Sequence, residues 1–113
     1  MKSDVFKIEL DFIKDKRIKE STKIILELLP DYFYEIPASS TGKYHPAFSL
    51  GEGGLVRHVK VAVRFAKELL DNPNIGDKYT NMEKDIMIMA LILHDGLKSG
   101  LIHNRYTQAN HPT

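Results

Sequence analysis

The chain contains no cysteine. That removes disulfide bridges and every thiolate metal site, so a metal ion held here needs histidine and carboxylate donors. Long apolar runs are missing too. The longest, IMIMALIL, falls far short of the roughly 20 residues that a membrane-crossing helix requires. Acidic residues interrupt the opening MKSDVFKIELDF where an export signal would be continuously apolar. The expectation is a cytoplasmic protein with no membrane partner. Charge of one sign is not in excess either. Sixteen Lys and Arg stand against 15 Asp and Glu, which excludes a broad polycationic surface and leaves only a local groove for nucleic acid. The last scarcity is positional: beyond Asp95 there is neither Asp nor Glu.

What is present suffices for one modest core. A chain of 113 residues, 42% of them hydrophobic, reads as a single domain over 1–113, with N-terminal helices in 1–36 and the functional core in 37–113. Ser3-Asp4 begins a first helix with Phe6, Leu10 and Ile13 on its inner face. A second, from Lys16 to Leu29, places Ile18, Ile25, Leu28 and Leu29 at helical spacing and stops at Pro30. Pro37 to Gly54 is rich in Gly, Pro and Ser, and reads as a long ordered loop carrying Tyr44, His45 and Phe48. A third helix runs from Gly54 to Leu70, with Leu55, His58, Ala62, Phe65, Ala66 and Leu69 on one stripe facing the core. Turn chemistry follows in DNPNIGDKYT, and Thr80 to Glu83 has the form of a capping box. The helix it opens has almost no polar residue beyond Asp85 and should be buried on most sides. No stretch alternates as a strand does, so the fold class is all-α.

At the end of that last helix stands His94-Asp95, an imidazole and a carboxylate side by side. Borderline and hard divalent ions accept this mixed donor set. A His-Asp dipeptide arises by chance in roughly one chain in ten of this size, so alone it decides nothing. Context adds weight. His58 lies on the expected inner face of another helix, and a buried carboxylate needs a partner that a metal ion or a histidine provides.

The order Gly53-Gly54-Leu55, His58, a capped apolar helix, His94-Asp95, Lys98 and His111-Pro112 resembles the HD-domain superfamily of metal-dependent phosphohydrolases. The stretch from Pro37 to Leu70 is most similar to the HD domains of 3′–5′ exoribonuclease type, and the likeness extends to Thr113. It implies an HD-like helical bundle holding one or two divalent ions (Mn, Fe, Co, Ni, Zn or Mg). It also implies hydrolysis of a phosphate mono- or diester, as a small molecule, a nucleotide or a nucleic acid. His58 would be the first metal ligand, His94 and Asp95 the central pair, and His111 an extra ligand where two ions bind. Asp95 and Lys98 would be the catalytic residues, while Lys98, Arg57 and His45 would face the substrate phosphate. Arg57 also reads as a solvated helix-face charge, Glu52 as a surface residue of the Gly-rich loop in preference to a proton-transfer group, and His103 as an exposed loop residue. In the family an Asp on a later helix completes the site, and this sequence offers none after Asp95. The expectation is therefore a C-terminally incomplete chain of reduced activity, whose open apolar surface favours homo-oligomers. The alternative is a non-catalytic HD-like module that binds a nucleotide or a partner protein.

Overall fold

The computed structural model describes residues 1–37 and 51–97. Of these residues 73% are helical and none forms a strand, as expected of an all-α chain. A 3-10 turn, Lys2–Phe6, leads into α1 (Lys7–Leu10), followed by α2 (Lys16–Leu28), α3 (Tyr32–Glu35), α4 (Gly54–Asp71), α5 (Pro73–Gly76) and α6 (Asn81–Leu93). Among the described residues no helix is long and apolar enough to cross a membrane. Two compact units divide the chain. One comprises Met1–Leu28 and Lys60–His94; the other comprises Leu29–Val59 and resumes at Asp95.

In the first unit Phe6, Leu10, Ile13, Leu26, Val63, Leu70, Ile88 and Ile92 are buried. The inner face read for the first helix is the observed one. That of α2 is not. Thr22 and Leu26 are buried, whereas Ile25 is exposed and Leu28 is 78% exposed. A threonine can take the inner position because its hydroxyl donates to the Ile18 carbonyl at 2.7 Å, which satisfies the polar atom within its own helix.

Buried charge organises the rest of this unit. Glu9 is fully buried, with Oε1 3.1 Å from Lys60 Nζ and Oε2 2.7 Å from Arg64 Nε. Lys60 also donates to the Val5 carbonyl. An unpaired carboxylate in that position would be strongly unfavourable, so the two cations on successive turns of α4 are what allow it to be there. Ser3 is equally buried and does not cap its own helix. Its hydroxyl and backbone N–H donate to Glu27 Oε2 at 2.5 and 2.8 Å, and Lys2 N donates to Oε1 at 3.2 Å. The Ser3 bonds, side chain first, hold the Glu27 carboxyl below its ordinary value. A depressed folded-state pKa contributes stability that is present above the unfolded-state pKa and is lost as pH falls through the folded-state value. Unfolding free energy measured from neutral pH down past the ordinary glutamate range should therefore decline, and Ser3→Ala should make that decline shallower. An unchanged slope in Ser3→Ala would remove Glu27 from the acid response.

The start of α6 follows its sequence signature. Thr80 Oγ1 accepts from Glu83 N at 3.1 Å, and Glu83 Oε1 accepts from Thr80 N at 2.8 Å. The preceding turn contains the extra helix α5, with Asn72 Oδ1 accepting from Asn74 N at 3.0 Å and Pro73 at the first helical position. Within α6 the outcome differs from the expectation of burial on most sides. Ile88 and Ile92 are buried, but Met82 and Ile86 are exposed. Asp85, read from the sequence as its polar face, is only 3% exposed. Its two carboxylate oxygens accept the backbone N–H groups of Lys14 and Asp15, each at 2.9 Å, just before α2 begins.

In the second unit Leu29, Tyr32, Phe33, Ile36, Leu55, Val56 and Val59 are buried. The Glu35 carbonyl accepts from Gly53 N at 2.8 Å, and the Ile36 carbonyl accepts from Leu55 N at 3.0 Å. These bonds tie the end of α3 to the first turn of α4. Gly51 and Gly53 reach this arrangement with φ of +72° and +73°, the left-handed region that glycine adopts without a steric cost. The stripe read along α4 is displaced. Its buried residues are Leu55, Val56, Val59, Val63 and Leu70, while Phe65 and Leu69 from the expected stripe are exposed. The helix is apolar on two sides, so spacing alone admits either face.

Candidate metal centre

His58 lies one turn beyond the anchored start of α4 and is half-buried. His94 directly follows α6 as its C-cap, still in right-handed helical conformation (φ −60°, ψ −30°), and Asp95 continues into the turn. His58 and Asp95 belong to the second unit, and His94 is joined to Asp95 by a peptide bond. Each of the three offers one ligand atom, and those atoms all lie within 4.8 Å of one another.

His94 Nδ1 is 2.6 Å from the Leu91 carbonyl oxygen. A carbonyl only accepts, so Nδ1 is the donor in this contact, and in the neutral ring the lone pair is then on Nε2. Histidines that bind metals are commonly oriented in this way, with the second ring N–H held by a carbonyl or carboxylate. The donor set of two imidazoles and one carboxylate fits Mn, Fe, Co, Ni or Zn; magnesium favours a more oxygen-rich set. The Leu91 carbonyl was missing from the sequence reading, although the i−3 backbone oxygen is within reach of any histidine that extends a helix by one residue.

Arg57 is exposed, and its Nη1 lies 3.1 Å from where a Cβ on Gly53 would be. The guanidinium therefore rests over the glycine turn that starts α4, and a larger residue at 53 would displace it. Glu52 is exposed in the same turn. The first-turn amides of α4 at Gly54 and Leu55 donate to the carbonyls of Gly51 and Ile36, so they are not available to an anion. His45, Lys98, His103 and His111 lie outside the described residues. Comparison with family models, with curated proteins and with solved structures finds no match for the chain.

Proposed function

We propose that the chain is an HD-type phosphohydrolase, in which His58, His94 and Asp95 hold a divalent cation that serves hydrolysis of a phosphate mono- or diester. One observation carries the reading: an imidazole from α4 and an adjacent His-Asp pair after α6 present three ligand atoms within 4.8 Å. The His94–Leu91 hydrogen bond supports it, because it leaves Nε2 as the ligand nitrogen. A divalent ion bound there supplies Lewis acidity toward a phosphoryl oxygen. The chain's own residues have separate tasks. His94 is oriented by the helix end, Asp95 contributes negative charge to the donor set, and Arg57, beside His58, offers positive charge for a phosphate. A nucleotide or a nucleic-acid end is the proposed substrate class.

Titration with Mn2+ followed by calorimetry, together with turnover of bis-p-nitrophenyl phosphate, tests the proposal. Loss of an outer hydrogen-bond partner alone typically lowers metal affinity by roughly 10–100-fold, so His58→Ala, His94→Ala and Asp95→Ala should each weaken binding by more than about 100-fold. Turnover should fall with it. Metal binding without turnover on any phosphate ester would instead favour a non-catalytic module. Unchanged metal affinity in all three variants would sink both readings.

A further inference from the structure

Val61, Phe65 and Leu69 recur at every fourth position of α4, and all three are exposed, Phe65 by 63%. A helix residue returns to the same face after three to four positions, so they form one continuous apolar ridge. Beside the ridge lies an open groove of about 400 Å3, lined by Ala66, Leu69, Leu70, Ile75, Met87 and Leu91 among others. One face of the first unit thus presents both a projecting aromatic ring and an apolar hollow next to it.

Along one edge of the ridge runs a charged row, Arg64 and Glu68, again four residues apart. Arg64 meets Glu9 through Nε, yet 49% of its side chain remains exposed. Glu68 is exposed and has no ion-pair partner among the described residues. The order of these charges is self-complementary. When two copies of a helix pack antiparallel about a two-fold axis, equivalent edges meet and residues equidistant from the axis oppose one another. A two-fold axis on the ridge side of α4, at the height of Ala66 along the helix, therefore sets Arg64 of each copy against Glu68 of the other. The same operation brings each Phe65 ring over the hollow of the opposite copy.

We infer that this face of α4 is an interface for a second copy of the chain, paired antiparallel across the Phe65 ridge at the height of Ala66. A second copy satisfies the ridge, the hollow and the charge row at once, because an isologous contact uses every feature twice. A different helix would have to reproduce the Arg–Glu order in reverse. The inference is independent of the metal centre, and its test is made in chelator.

Sedimentation equilibrium over a wide concentration range provides the measurement. The chain should show a monomer–dimer equilibrium. Phe65→Glu should be monomeric throughout with unchanged helical circular dichroism, and Val61→Lys, at the end of the ridge, gives a second reading. Glu68→Arg, which faces Arg64 with a like charge, should weaken association by more than about tenfold at low salt and by less at high salt. Leu28→Glu, on an exposed position of α2, should leave association unchanged. A chain that stays monomeric at all concentrations overturns the inference. So does a dimer that tolerates Phe65→Glu and Val61→Lys, or one that Leu28→Glu dissociates equally well.

Discussion

Gly76→Ala should cost more than about 4 kcal/mol, a large share of the roughly 5–15 kcal/mol by which a domain is ordinarily stable. A Cβ at this position would stand 1.7 Å from the Leu70 carbonyl oxygen and 2.8 Å from its carbon. Neither atom is the movable end of a side chain. Leu70 belongs to the last turn of α4, and Gly76 closes α5 with its N–H bonded to the Asn72 carbonyl at 2.7 Å. Relief would require the two helices to separate or the final turn of α4 to unwind. Gly51 provides the control. It has a positive φ but nothing within 4 Å of its would-be Cβ, so Gly51→Ala should incur only the left-handed backbone penalty of roughly 1–2 kcal/mol. Urea denaturation of both variants separates the two causes. If Gly76→Ala lowers the midpoint no more than Gly51→Ala does, close packing of α5 against the end of α4 is not what position 76 requires.

That contrast also indicates which parts of the fold were readable from sequence. Helix ends set by atoms within a few residues of one another were legible, whereas the start of the first helix was not, because Ser3 bonds the distant Glu27. Pro30 follows the end of α2, Gly54 opens α4, and Thr80 with Glu83 forms the capping box of α6. Inner faces depend on distant partners. In α4, Leu55, Val59 and Val63 make one apolar stripe and Val61, Phe65 and Leu69 another, and periodicity cannot choose between them. In α2 a threonine went inside ahead of Ile25 and Leu28, because its hydroxyl had a partner on its own helix. Gly76 looked like ordinary turn chemistry, since its constraint is spatial crowding by Leu70 and not a positive φ.

The candidate centre divides in the same way. His94 and Asp95 are neighbours in the chain, so their proximity required no fold. Adding His58 rested first on its place on the expected inner face of another helix and then on the resemblance in motif order, and the grouping within 4.8 Å is a property of the folded chain. The orientation of His94 by Leu91 lies between these cases, being local but not encoded in any residue type, since every residue supplies a carbonyl.

Asp85 carries the second large expected effect, and it is the clearest case of a charge whose role only the folded chain reveals. Asp85→Ala should destabilise by about 3 kcal/mol. The carboxylate accepts two consecutive backbone N–H groups, from Lys14 and Asp15, and it is almost completely buried. Each buried donor left without an acceptor costs about 1–3 kcal/mol. The loss also extends to the neighbouring cap, because Asp15 Oδ1 accepts from Ile18 N at 3.0 Å and so opens α2. Asp85 on α6 holds the backbone of the residue whose side chain starts α2. Asp85→Asn distinguishes this from simple burial. Asparagine preserves the volume but has only one acceptor oxygen, and its NH2 group would confront a backbone N–H. It should therefore recover less than half of the alanine loss, with a denaturant slope unchanged from the parent chain. Amide exchange at Lys14 and Asp15 should accelerate in both variants relative to amides inside α6. An Asp85→Asn protein within about 0.5 kcal/mol of the parent, the range of ordinary surface substitutions, would mean that the two amides do not depend on this carboxylate.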